Sequence, residues 1–416
     1  MSGDFVLILI VAAAYLAAHW AFEWLGHRYM LISGAEYLLL GILLGPQVSG
    51  VLRASVLDAF APFMTLALGW MGAVVGSHFH LPRLVRTRGE LIRVAFTEAT
   101  LSLLVAAALL TAALAWLYQL PLGDTVPPAV ALGAIAVASS PAGVAMLTRR
   151  LVRRGLVVRQ IEVATGVDAF TAIVAFSLVL CIAHVAPPTN VRVPTPTEWA
   201  VISVAIGCVG GALFHLFVGS ERNVDRLFIS IGGAVILASG AAAYLRLSPL
   251  LPAMLIGAVL ANTRHNRDEI RAALTRVERP LYFVLLIFAG AAWDPGTTAW
   301  WMIPAFVFVV VRTFAKLTSA RLAAFFNGLL PSLGARWGRA LLGQGGLAIA
   351  IALDYHLFHG DLLLPDVVFS AAVASVLLTD LSSARLVHSV VRRYTRRALD
   401  APTPVAPHAA FMPDEQ

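Results

Sequence analysis

The chain has 416 residues, of which 59% are hydrophobic and only 13% charged, with a mean hydropathy of +0.82. A soluble domain carries roughly 25% charged and 45–50% apolar residues, so a water-soluble enzyme and an unfolded, solvated chain are both excluded. The formal charge of +7 sits in short arginine clusters between apolar stretches, which encodes membrane orientation rather than affinity for nucleic acid.

A helix that crosses the hydrocarbon needs ~20 mostly apolar residues, ~17 if short. By that criterion the sequence predicts an all-α polytopic membrane protein with about thirteen transmembrane helices. In chain order they centre near Val11, Leu43, Leu66, Ala106, Val137, Ala172, Ile206, Ala234, Leu255, Leu286, Val309, Ala348 and Ala374. The first run lacks a basic stretch before it and leads straight into the next, so it reads as a span and not as a cleavable signal. Cys181 and Cys208 both lie in apolar runs and read as small buried hydrophobes, with neither a disulfide framework nor a metal pattern. No metal site and no cofactor is expected.

With this segmentation the basic clusters 80–93, 149–159, 221–226, 264–279, 336–339 and 392–397 all fall on one side. The opposite loops 119–128, 186–198, 294–299 and 355–366 are nearly free of arginine, with Arg53, Arg192 and Arg246 as isolated exceptions. The basic side is cytoplasmic, which puts the N-terminus outside and the C-terminus inside. Residues 1–390 are expected to form a single membrane domain, with 391–416 a short cytoplasmic tail. Segment 264–279 reads as a basic amphipathic helix at the cytoplasmic surface.

Two triplets of segments share a pattern. Those near Ala106, Val137 and Ala172 have a breaker-rich middle element, Ser139-Ser140-Pro141-Ala142-Gly143, and those near Val309, Ala348 and Ala374 have Gly343-Gln344-Gly345-Gly346. Interrupted helices at corresponding places in two halves of opposite orientation point to an inverted-repeat transporter with its site at the midplane. Such breaks leave backbone groups free, which membrane depth tolerates only where protein or a wet cavity supplies partners.

Ionisable residues inside spans mark sites by default. Asp168 lies ten residues past Val158, hence ~15 Å deep and at the midplane. An acid there must be neutral, paired, or holding a cation. Glu98 lies ~9 Å in from Ile92 and reads as a funnel carboxylate or the partner of a cytoplasmic arginine. Arg312 and Lys316, the chain's only lysine, are one turn apart on one face. One of them is expected to neutralise a core carboxylate. Arg312 is the deeper and is preferred, while Lys316 is near enough to the cytoplasm to snorkel. Glu162 faces the entry vestibule or a loop arginine. Ser139, Ser140 and Thr165 are the natural oxygen donors beside Asp168, a set that suits a small hard cation.

The segments LLLGILLGP, AVASSPAGVAML, ATGVDAF, AVLANTRHNRDEIRAAL, RPLYFVLLIFAGAAWDP, RTFAKLTSARLAA and LLGQGGLAIAIAL, in this order, resemble the membrane domain of monovalent cation:proton antiporters. The likeness is to the second branch of that superfamily, which includes glutathione-gated potassium efflux systems and thirteen-helix sodium/proton exchangers. It covers roughly residues 5–390.

The resemblance implies a homodimer whose protomers have core helices at about 92–185 and 299–388. Dimer or scaffold helices follow at about 4–78 and 197–296, and two crossed, unwound helices lie in the core. It matches Asp168 to the acid that carries a proton or a cation in turn. It matches the basic residue of the Arg312 helix to the one facing the crossing, and Glu98 to an acid on the third core helix of some members. Pro141, Gly143, Gln344, Gly345 and Gly346 fall in the unwound segments. The implied activity is exchange of Na+ or K+ for H+ by alternating access, in the inner (plasma) membrane of a prokaryotic cell. One proton per cation is expected because a single deep acid is evident. The chain departs from the pattern at Val167, where members often carry Asp, Asn or Gln, at Ser140, where many carry an acid, and in lacking a nucleotide-binding domain. A gated cation channel, an organic-ion transporter or a non-transporting signalling homologue are the alternatives on the same scaffold. No arrangement of catalytic acids or of Ser and His at matched depth suggests an intramembrane enzyme.

Overall fold

The computed structural model describes residues 35–79, 86–139, 155–184, 194–218, 224–262, 267–294, 299–334, 336–358, 364–379, 386 and 390. Among them the chain is helical throughout, with no strand. The helices are α1 (Ala35–Leu44), α2 (Ala54–Ser77), α3 (Gly89–Tyr118), α4 (Leu122–Val137), α5 (Leu156–Ile182), α6 (Pro196–Val218), α7 (Val224–Tyr244), α8 (Leu250–Asn262), α9 (Arg267–Ala292), α10 (Met302–Phe326), α11 (Gly346–Phe358) and α12 (Pro365–Thr379). Six described helices are long and apolar enough to cross a membrane, and α4, α8, α11, α12 and the second half of α9 are shorter apolar helices. This is an integral, multi-pass membrane protein. Every expected centre from Leu43 to Ala374 falls within a helix. The centre near Val11 and the tail 391–416 lie outside the described residues.

The 30 residues of α3 extend ~45 Å, enough to cross at a tilt. The helix stops where Gln119 takes a left-handed conformation at φ 54°, followed by Pro121, which cannot continue a helix. One expectation needs correction. The surface helix at 264–279 and the span near Leu286 are not separate, because α9 runs through Pro280 as one helix. Pro280 withholds its own N–H from the ladder and crowds the carbonyl four residues back, yet the backbone stays helical on both sides. The lost bond ends neither the basic half nor the apolar half.

Packing sorts the helices into two bundles. In one, α3 packs on α4, α5 and α10, α4 packs on α5 and α10, and α11 packs most on α4 while also touching α9 and α2 of the other. In the other, α2 packs on α7, α8 and α9, α1 on α9, and α6 on α7 and α8. Between apolar helices in lipid, close backbone approach is a main source of attraction. The seam between α2 and α8 uses it. A Cβ at Gly76 would run into the Met254 carbonyl, and one at Gly257 into the Ala73 carbonyl. Large apolar side chains such as Leu216, Ile229, Leu237 and Phe306 stay on the outside, where acyl chains are as good a solvent as another helix.

Candidate functional site: a buried carboxylate pair beside two helix ends

Asp168 lies near the middle of α5, twelve residues past Leu156 and so ~18 Å along it. Its Oδ2 accepts two hydrogen bonds, from Ser139 Oγ at 2.6 Å and from Lys316 Nζ at 2.7 Å. The same ammonium lies 3.2 Å from Oε1 of Glu98, on α3. Asp168, Glu98 and Lys316 are all 0% exposed. Three helices, α3, α5 and α10, thus bring two carboxylates and one ammonium together out of water. Burial of unpaired charge on this scale is too costly to persist, so each acid needs the lysine. The other oxygen of each acid, Asp168 Oδ1 and Glu98 Oε2, has no hydrogen-bond partner among the described residues. A proton or a small hard cation is the group that such an oxygen accommodates.

The end of α4 and the break before α11 lie against this cluster and against each other. α4 ends at Val137, and Ser139 follows in non-helical backbone. Across from it a 3-10 turn, Trp337–Leu341, gives way to the non-helical Leu342–Gly345 before α11 begins. Two contacts tie the two together, and a third holds the second from α10. Ser139 Oγ lies 3.0 Å from the Leu341 carbonyl, Gln344 Nε2 donates to the Ile135 carbonyl at 3.0 Å, and Arg312 Nη1 donates to the Leu342 carbonyl at 2.8 Å. Gln344 Oε1 in turn accepts from Ser375 Oγ at 2.7 Å and Thr379 Oγ1 at 3.4 Å. Carbonyls that a continuous helix would satisfy internally are met here by side chains. Ser139 has one hydroxyl proton for its acceptors, and the charged, nearer Asp168 oxygen is the stronger claimant.

Residues 8–387 match the transmembrane sodium/hydrogen exchanger family. The chain belongs to the sodium/hydrogen exchanger family. Its relatives there are transporters and not enzymes. Among solved structures the exchanger is similar to the sodium proton antiporter MjNhaP1 from Methanocaldococcus jannaschii at pH 8, with a TM-score of 0.68 and 15% identity over 95% of this chain and 99% of that one. An electron-microscopy structure of the same antiporter gives a TM-score of 0.65 and 15% identity over 96% and 99%. At that identity the likeness is one of fold. No curated protein matches the exchanger in sequence.

In the exchanger the residues expected at the site are distributed unevenly. Asp168, Ser139, Glu98 and Lys316 meet. Gln344 and Gly345 lie in the non-helical stretch and Gly346 opens α11, where a Cβ would strike the Tyr282 ring. Ser140, Pro141 and Gly143 lie outside the described residues. Thr165 turns its hydroxyl to its own helix, donating to the Glu162 carbonyl at 3.1 Å.

Two expectations about the charges change. The basic residue that joins the carboxylates is Lys316, while the preferred Arg312 reaches one turn away to the Leu342 carbonyl. Lys316 does not snorkel, since its side chain is fully buried. Glu98 pairs with that lysine instead of lining a funnel or meeting a cytoplasmic arginine, so Asp168 is not the single deep acid.

Sequence reasoning passed over Asp354 and Gln160, both fully buried. Gln160 Nε2 donates to the Leu91 carbonyl at 3.2 Å and joins α5 to α3. An acid inside the apolar run AIAIALDYHLF was the available signal for Asp354.

Proposed function

We propose that the chain is a secondary active transporter that exchanges Na+ or K+ for H+ by alternating access, with both passengers competing for Asp168. The observation that carries the reading is a fully buried carboxylate where the end of α4 meets the break before α11, one oxygen of which lacks a hydrogen-bond partner among the described residues. In this reading α3, α4, α5, α10, α11 and α12 form the moving core. The helices α1, α2 and α6 to α9 form the scaffold, through which two copies associate. The N-terminus is outside and the C-terminus inside.

Charge counting supplies the coupling. With both acids ionised and Lys316 protonated, the cluster carries one net negative charge, which low-dielectric surroundings penalise. One monovalent cation neutralises it, and so does one proton. Both loaded forms are neutral and free to move, whereas the empty form is held back. The expected exchange is therefore one proton per cation, now because of the sum over three groups and not because one acid stands alone. Ser139 follows the occupant. Its proton points to Asp168 when that acid is ionised and can turn to the Leu341 carbonyl when Asp168 is itself protonated.

Purified protein in vesicles with an internal pH dye tests the reading by adding each alkali cation in turn. Cation-driven proton movement that disappears in Asp168→Asn, with the fold kept, is the expected result. Wild-type exchange in that variant removes Asp168 as the carrier. Transport driven by a membrane potential without ion gradients refutes the one-to-one count.

A further inference from the structure

Asp354 is an intramembrane acid that the exchange scheme does not use. It stands eight residues past Gly346, ~12 Å along α11, and is 0% exposed. Its Oδ2 accepts a hydrogen bond from Ser248 Oγ at 2.5 Å.

Ser248 is not an isolated hydroxyl. Its Oγ accepts the Leu250 N–H at 3.3 Å, and the Ala253 N–H bonds to the Pro249 carbonyl at 3.3 Å, so helical bonding of α8 starts directly after Ser248. Asp354 is thereby seated, through one hydroxyl, on the N-terminal end of α8, where the helix dipole favours negative charge. Its own helix offers the opposite, because Asp354 is four residues from Phe358 and the C-terminal end of α11 repels an anion. The stabilising partner of this carboxylate therefore comes from outside its own element. α11 packs most on α4 and also on α9 and α2, while α8 packs on α2 and α6. The Ser248–Asp354 bond joins α11 to the entry of α8, beside the contacts that α11 makes with α2 and α9.

We propose that Asp354 is a positioning residue for exchange. Its carboxylate docks the continuation of the second interrupted helix onto the entry of α8, and the dock opens each time α11 moves against α8. The inference rests on the alternating-access reading above. An apolar contact at this place would slide by degrees. A carboxyl that gives up the Ser248 hydroxyl loses a directional hydrogen bond in a dry interior, so this contact has two discrete states, docked and released. A hydrogen bond to a charged group shifts the ratio of two such states by on the order of tenfold or more.

The test uses full-length protein in vesicles with Cys181 and Cys208 replaced by Ala, and Ser248→Cys combined with Asp354→Cys. Mercuric ion bridges the two thiols, bridging is followed by loss of thiol labelling, and dithiothreitol reverses it. The expected result is at least tenfold slower exchange in the bridged protein than in either single-cysteine control, regained on reduction. Bridged protein that exchanges at the unbridged rate overturns the proposal, and so do thiols that do not bridge.

Asp354→Asn and Ser248→Ala give an independent readout. Turnover is expected to change by about tenfold while the half-saturating cation concentration stays in place, because the cation site itself is untouched. A lowered melting temperature with unchanged turnover assigns the bond a static role and overturns the proposal. Failure of the underlying reading looks different, since wild-type protein would then move no protons on cation addition. A wild type that exchanges and is indifferent to the bridge sinks the dock alone.

Discussion

Nζ of Lys316 lies 2.7 Å from Oδ2 of Asp168 with both side chains fully buried, and the same nitrogen extends to Glu98. Removing the ammonium leaves two carboxylates facing each other in a dry interior. Lys316→Met is expected to destabilise the protein by ~3–5 kcal/mol, the typical cost of stripping one partner from a buried ion pair. Thermal unfolding in detergent reads it. An unchanged melting temperature would mean that the acids are already neutral without the lysine.

Glu98→Gln tests the charge count in the other direction. The variant cluster, with Asp168 ionised and Lys316 protonated, is neutral before any passenger binds. The half-saturating cation concentration should rise by about tenfold or more, the size expected from losing one charge a few ångströms away at an effective dielectric near 20. Cation titration of exchange in vesicles measures it, and a wild-type value would remove Glu98 from the cation's surroundings.

Competition has a pH signature. In the proposed scheme protons and cations exclude each other at Asp168, so the half-saturating cation concentration should rise as pH falls, approaching ~tenfold per pH unit once protons dominate. The maximal rate at saturating cation should stay level over the same range. A maximal rate that falls while the half-saturating concentration holds would show that protons and cations occupy separate places.

Arg312→Ala should behave unlike Lys316→Met. The guanidinium donates to the Leu342 carbonyl in the non-helical stretch, and its loss leaves a buried acceptor unsatisfied at a cost of ~1–3 kcal/mol. Stability is expected to drop while the pH dependence of exchange keeps its position. A displaced pH dependence with an unchanged melting temperature would make Arg312 the electrostatic partner after all.

Depth along a helix can be counted from a sequence, and it led to Asp168, to the paired basic residues of α10 and to both interruptions. Rotation about a helix axis cannot be counted in the same way. Arg312 and Lys316 share a face, and which of them meets the acids is decided by how α10 crosses α3 and α5, a relationship fixed only by packing. The lysine has the longer flexible stem and reaches both carboxylates, while the planar guanidinium suits a backbone carbonyl of the unwound segment. Asp354 escaped notice for a related reason. A continuous helix centred on Ala348 would end near residue 358 and leave Asp354 at its rim beside His356. The non-helical Leu342–Gly345 shifts the start of α11 to Gly346, and the residue becomes part of a fully buried helical turn. The single helix α9 was hidden by Pro280, which costs a ladder bond and crowds the preceding turn and so usually marks a boundary, but does not end the helix here.

The rarity of lysine in this chain has a practical corollary. With one lysine among 30 Lys and Arg residues, an amine-acylating reagent finds a single side-chain target besides the terminal amine. That amine reacts only after shedding its proton and meeting the reagent in water. Under the proposed alternating access, acylation of Lys316 is thus a clock for the moments when solvent enters the centre of the protein, readable by mass on intact chains without introducing any label.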